Sequence, residues 1–217
     1  MTTINRFLRA ICLIAFLVTT RVLTAQAGPS SSVSLASLTN GETLVVGDKA
    51  FTDFSISGDF LAGQVTVTPI TVGGNFGIEF GGNFSTSNSA LDMVLGYQVS
   101  VTNSANLISA ANLSFNGMVT GGTGLAEVIE QVFTNGSIYG QMSVFATATS
   151  SNLTTSLAIN PPQPMLEINK DVLLTATVPA FSSITTIDQT FTQVPEPSAL
   201  FLVAAGFSGL ALLRRRR

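Results

Sequence analysis

The chain has 217 residues, of which 10% are charged, with one cysteine and neither histidine nor tryptophan. That composition excludes a Ser-His-Asp triad, a Cys-His dyad and zinc centres built on imidazole or thiolate. Between residues 28 and 193 only Lys49 and Lys170 stand against eleven acids, a net charge of −9, which argues against nucleic acid and anionic lipid as partners because phosphate binding needs clustered Lys and Arg.

Arg6 and Arg9 precede the apolar run Ala10 to Val18, and Ala25-Gln26-Ala27 supplies small residues. This order predicts a signal peptide over 1–27, with Ala25 and Ala27 marking the site for signal peptidase. Arg21 departs from that pattern, and an uncleaved anchor is the alternative. The run is nevertheless too short to span a bilayer comfortably. Cys12, the only cysteine, leaves with this segment. The exported domain, 28–193, therefore has no disulfide and depends on core packing and sheet hydrogen bonds.

Within that domain the periodicity is two. Val65-Thr66-Val67-Thr68 alternates first. Leu91, Met93, Leu95, Tyr97, Val99 and Val101 then alternate with Asp92, Val94, Gly96, Gln98, Ser100 and Thr102, a half-buried strand. The stretch Leu125 to Phe133 also fits one helical face through Leu125, Val128, Ile129 and Val132, but its short length and its neighbours favour a strand. Ile138, Gly140, Met142 and Val144, then Val172, Leu174, Ala176 and Val178, give two further alternations. Turns are expected at Gly73-Gly74-Asn75, Gly81-Gly82-Asn83, Gly121-Gly122 and Asn135-Gly136. The repeated Gly-Gly-Asn-Phe brackets a short predicted strand at Gly77-Ile78-Glu79-Phe80, and the Asp that a calcium-binding glycine-rich repeat needs is missing. The expected fold is a single all-β domain, a two-sheet sandwich or jelly roll over about 34–191.

Few residues in this domain carry chemistry. Lys49 and Lys170 each adjoin an Asp (Asp48 and Asp171), which predicts surface ion pairs, since lysine is rarely buried. A Ser-Lys centre would need one of them buried beside a serine. Carboxylate pairs for glycoside hydrolysis are formally available among Glu79, Asp92, Glu127 and Glu130, although Glu127 and Glu130 point to opposite faces of a shared strand. Asp48, Asp53 and Asp59 offer oxygen ligands for calcium, but their spacing fits no EF-hand loop, and a solvated edge is the simpler reading. Neither a metal nor a cofactor is expected. Tyr97 and the phenylalanines Phe51, Phe54, Phe76, Phe80 and Phe84 are expected in the core, whereas Tyr139 falls opposite the Ile138–Val144 face and is the candidate exposed aromatic. Sequons at Asn83, Asn112, Asn135 and Asn152 would permit glycosylation.

The C-terminus carries the sharpest signal. Val194-Pro195-Glu196-Pro197 leads into an uncharged, mostly apolar run over 198–213, closed by Arg214, Arg215, Arg216 and Arg217. Sixteen helical residues cover about 24 Å, slightly short of a hydrocarbon core of about 30 Å, a mismatch that snorkelling arginines partly offset. Four arginines resist translocation and hold the tail in the cytoplasm, so the preceding domain lies outside. Pro195 and Pro197 keep the junction extended and accessible to a protease. An ordinary C-terminal anchor is the alternative.

In its Pro-Glu-Pro triplet, apolar helix and Arg tail, the segment 194–217 resembles the PEP-CTERM sorting signal of bacterial surface proteins. That resemblance implies an exosortase as partner, which cuts near the triplet after transient anchoring in the inner membrane. It further implies a cell-surface or extracellular destination, associated with the envelope or an exopolysaccharide matrix. Without histidine, the usual proton-transfer residue, the exported domain is not expected to be an enzyme. A carbohydrate-binding module is the alternative. The stretches Val46-Gly47-Asp48-Lys49-Ala50-Phe51-Thr52-Asp53-Phe54, Glu167-Ile168-Asn169-Lys170-Asp171-Val172 and Ile187-Asp188-Gln189-Thr190-Phe191 are similar to segments of uncharacterised proteins of this kind, without assigned chemistry. A short exposed linker is expected between domain and anchor.

Overall fold

Apolar and polar residues alternate along most of the chain, and the computed structural model, which describes residues 31–195, turns that alternation into strands. β1 (Val33–Ser34) leads into a single helical turn, α1 (Leu35–Leu38), capped by the Ser34 side chain. Then come β2 (Leu44–Val46), β3 (Lys49–Gly58), a 3-10 turn at Ala62–Gln64, β4 (Thr66–Val72), β5 (Asn75–Thr86) and β6 (Ala90–Val101). The second half holds β7 (Asn106–Thr120), β8 (Gly124–Thr134), β9 (Ser137–Ala146), β10 (Ser151–Asn152), β11 (Thr154–Gln163), β12 (Met165–Ala176) and β13 (Phe181–Pro195).

The strands form two antiparallel sheets, a six-stranded one in the order β1-β4-β5-β13-β7-β11 and a seven-stranded one in the order β10-β9-β8-β12-β6-β3-β2. These are the two layers of the expected sandwich. Met93, Leu95, Tyr97 and Val99 of β6 are buried while Asp92, Val94, Gln98 and Ser100 are not, as their alternation requires. Facing them across the core are Ile78, Phe80 and Phe84 of β5 and Ile187 and Phe191 of β13. Phe54 stacks on Tyr97 at a ring-centroid separation of 5.6 Å, and Phe80 lies 5.7 Å from the same ring. Phe76 is half-buried against this cluster.

Leu125 to Phe133 falls inside β8, a strand with Ala126, Val128 and Val132 on the buried face. Tight turns occur at Gly73-Gly74 (φ 59° and 84°) and Asn135-Gly136 (φ 50° and 73°), left-handed pairs of the kind that close two-residue hairpins. Gly121 and Gly122, also at positive φ, join β7 to β8.

The second Gly-Gly-Asn does not turn. Ile184 pairs with Phe84 and Thr186 with Gly81, so Gly82 and Asn83 oppose one residue of β13 and form a bulge inside β5. The short strand expected at Gly77 to Phe80 is therefore the middle of a long one. A second bulge, at Tyr139, shifts the phase of β9, because Val132 pairs with Gly140 and Phe133 with Ile138. Ile138, expected inside, is consequently 61% exposed.

The last strand runs into the C-terminal Pro-Glu-Pro segment, and any linker to the anchor beyond Pro195 lies outside the described residues. β13 remains paired with β7 through Val194 and Pro195, which lie opposite Leu107 and Asn106. Among the described residues no helix is long and apolar enough to cross a membrane. The expected signal peptide with Ala25 and Ala27, the junction residues Glu196 and Pro197, the span 198–213 and Arg214 to Arg217 lie outside the described residues.

Candidate functional site

Three places combine unusual chemistry with defined geometry: the buried lysines, the outer faces of the two sheets, and the end of β13. Both lysines are fully buried, in contrast to the surface pairs expected. Lys170 lies in phase with Ile168 and Val172 on the inner face of β12, while its neighbour Asp171 points outward. Its ammonium meets Glu130, the residue in register on β8, and donates to Gln189 Oε1 of the opposite sheet at 2.5 Å. Burial lowers the pKa of Lys170, partly offset by Glu130, and the same burial raises that of Glu130 against the pull of Lys170. Glu130 Oε1, Gln189 Nε2 and the Tyr97 hydroxyl are buried without hydrogen-bond partners. Burial, then the Glu130 carboxylate, pushes Tyr97 well above the ordinary phenol value.

Lys49 repeats the arrangement near the rim of the sandwich. It does pair with Asp48 as expected, at 2.6 Å, but inside rather than on the surface. Its amine donates to Gln193 Oε1 of the opposite sheet at 2.5 Å, and Asn106 Nδ2 donates to the second oxygen of Asp48 at 2.8 Å. Neither lysine meets a serine, so the Ser-Lys arrangement does not form. These clusters were legible as polar residues on an apolar phase: Lys170 between Ile168 and Val172, Glu130 between Val128 and Val132, Gln189 between Ile187 and Phe191.

The outer faces gather the remaining acids. Glu79, Asp188 and Ser114 lie side by side on β5, β13 and β7. Burial raises the pKa of Glu79, reinforced by Asp188; burial also raises Asp188, opposed by the Ser114 hydroxyl. A groove of about 470 Å³ runs beside them, lined by Asn112, Ser114, Thr154, Ser156, Asp188 and Thr190. On the other sheet a groove of about 520 Å³ is lined by Asp53, Ser55, Gln98, Phe133, Glu167 and Asn169. Asp53 there adopts a left-handed φ of 54°, and Asn169 Oδ1 is buried without a partner.

The carboxylates singled out in the sequence do not pair with one another. Glu79 neighbours Asp188, Glu130 is in the core, Glu127 lies on the outer side of β8, and Asp92 sits beside Asp171, whose pKa is raised by burial and then by Asp92. Asp48, Asp53 and Asp59 are likewise apart in function: Asp48 holds Lys49 and Asn106, Asp53 faces the second groove, and Asp59 accepts the Asp92 amide at 2.8 Å. No cluster of three metal-ligating side chains occurs among the described residues. Tyr139 is half-buried; its hydroxyl donates to the Asn160 carbonyl at 3.0 Å and accepts from the Asn160 amide at 2.5 Å.

Residues 193–217 match the PEP-CTERM protein-sorting motif, so the motif begins while β13 is still paired. No curated protein sequence is detectably similar to the chain. Among solved structures the chain is similar to TmCBM61 in complex with β-1,4-galactotriose, at 15% identity and a TM-score of 0.29, covering 66% of this chain and 88% of that one. It is similar also to a family 11 carbohydrate-binding module from Clostridium thermocellum in complex with a β-1,3-1,4-mixed-linked tetrasaccharide, at 11% identity, a TM-score of 0.29, and coverage of 64% and 86%. At such scores these likenesses decide nothing about the function of this chain. The sorting motif implies export.

Proposed function

We propose that this is an exported, non-enzymatic protein of the cell surface or extracellular matrix, delivered by its C-terminal motif and cut by an exosortase near Pro195-Glu196-Pro197. The single observation that carries this reading is the motif match over residues 193–217. A stop-transfer helix with a cytoplasmic Arg tail would hold the triplet at the outer boundary of the membrane. With β13 paired up to Pro195, the folded sandwich would stand directly on that boundary. The test is mass spectrometry of the C-terminal peptide from the native surface protein. A peptide ending near the triplet is expected; one that still carries Phe201 to Arg217 makes the chain a permanent membrane protein and overturns the reading.

The second reading is binding of an exopolysaccharide. What favours it is the groove on the seven-stranded sheet, where the Phe133 ring lies beside Gln98, Glu167 and the unpartnered Asn169 oxygen. A planar ring with adjacent amides and carboxylates suits a sugar, whose faces are apolar and whose edges are hydroxyls. A glycan array on the exported protein tests it. Binding to one saccharide class that Asn169→Ala and Phe133→Ala abolish, and that Tyr139→Ala leaves intact, would establish the groove as the site.

A further inference from the structure

The two buried lysines share more than burial. Each reaches from the seven-stranded sheet to a glutamine of β13 in the six-stranded sheet, and each has a carboxylate on its amine. Gln189 and Gln193 are four residues apart on one strand, and the domain has no other lysine. An ion pair in such a place is poorly rewarded, because desolvation offsets most of the Coulomb attraction. A nucleophile, an acyl group and a proton carrier held together away from water are, in contrast, the parts of an amide-forming reaction.

We infer that Lys170 and Gln189, and likewise Lys49 and Gln193, join spontaneously as intramolecular isopeptide bonds that cross-link the two sheets. In the first cluster Glu130 takes a proton from the Lys170 ammonium, leaving a neutral amine. The lone pair of Nζ attacks Cδ of Gln189, and the carbonyl electrons move onto Oε1. Glu130 passes its proton to Nε2 and receives one of the two protons left on the attacking nitrogen, which keeps the other. The Cδ–Nε2 bond breaks, the carbonyl re-forms and ammonia leaves. An ammonium, a carboxylate and a primary amide thus become a secondary amide, a carboxylic acid and ammonia, with atoms and charge conserved.

The environment favours each step. Burial lowers the pKa of Lys170 and raises that of Glu130, so transfer of the proton between them removes two charges from the core. Nζ is already 2.5 Å from the carbonyl oxygen of Gln189. The Gln189 amide nitrogen and Glu130 Oε1 have no other hydrogen-bond partners, which leaves them free for each other during transfer. Asp48 would serve Lys49 in the same way, through its contact with the amine. In a chain whose only cysteine, Cys12, lies before the domain, such bonds would take the place of disulfides. The outer bond would anchor β13 two residues before Pro195, the last residue described in that strand.

The experiment is intact-mass measurement of the wild-type full chain, compared with the mass that its sequenced termini require. Each bond releases one ammonia, so a deficit of about 17 Da per bond, about 34 Da in all, is expected. Trypsin supplies an independent reading, since the unfolded chain has no site between residues 28 and 193 except these two lysines. An acylated lysine resists cleavage, and branched peptides should join the Lys170 segment to that of Gln189 and the Lys49 segment to that of Gln193. Glu130→Gln should abolish the first branched peptide and retain the second. A wild-type mass equal to that of the sequence, with cleavage after both lysines, overturns the inference whatever the variants do. A deficit of one ammonia retains only the bond whose branched peptide is found.

Discussion

Gly77 shows how little room the core leaves at its tightest point. A Cβ there would lie 1.9 Å from the Gln189 backbone oxygen, and no rotamer change can relieve a clash with backbone. Gly77→Ala should cost about 3 kcal/mol or more through separation of β5 from β13. Gly63→Ala, with nothing within 4 Å, should stay within about 0.5 kcal/mol. Urea unfolding midpoints of the two variants check this, and equal midpoints would refute it. The outer carboxylates make a second prediction. Glu79, Asp171 and Asp188 have pKa values raised above 4.5, 3.8 and 3.8 respectively, so the folded state holds protons that the unfolded chain has released. The stability they contribute is complete below those ordinary values and is lost as pH rises through the raised ones. The melting temperature should therefore be highest in mildly acidic buffer and fall toward neutrality. Asp188→Asn should raise the neutral-pH melting temperature and flatten the profile; a steeper profile would contradict the assignment.

Among the elements, β9 is where local pattern and packing disagree most. Its alternation predicted Ile138 inside, yet the bulge at Tyr139 reverses the phase of the residues before it. The bulge turns the Tyr139 hydroxyl onto both backbone groups of Asn160, tying β9 to β11. Tyr139→Phe leaves those groups without that partner and should cost about 1 kcal/mol. The loss should be local, read as faster hydrogen exchange of the Asn160 amide with little change in the amides of β12. Unchanged exchange at Asn160 would mean that solvent already satisfies it. The same contrast explains Gly81-Gly82-Asn83: Gly-Gly-Asn tolerates a turn and a bulge equally, and pairing with β13 selects the bulge.

At the scale of the whole molecule, the folded domain and the sorting motif overlap. β13 is a central strand, flanked by β5 and β7, and it carries Pro195 into the motif. Processing near the triplet, as proposed, would thus take place close to a paired strand, since Pro195 still lies opposite Asn106. Glu196→Ala should leave insertion intact and block processing, since it removes the one charge at that boundary while the stop-transfer arginines remain. Immunoblotting of inner-membrane fractions for full-length protein reads the outcome; normal release of the variant would show that the carboxylate is not the recognition handle.

Period-two alternation and glycine-rich turns determined by themselves that the domain is a β-sandwich, because burying one face of every strand leaves few other solutions. The C-terminal order of Pro-Glu-Pro, apolar run and arginines was equally legible, since a sorting signal is a local, linear object. Alternation also carried the phase of Lys170, Glu130 and Gln189, although the rarity of buried lysine pointed instead to Asp171 next in sequence. Tertiary structure decided the partners. Lys170 and Glu130 are 40 residues apart and meet only because β12 pairs with β8. Gln189 and Gln193 come from the other sheet, placed by how the two layers stack. Periodicity states which face a residue takes; which residue it meets across the core follows from strand order and register, and those are set by the packing of the whole chain.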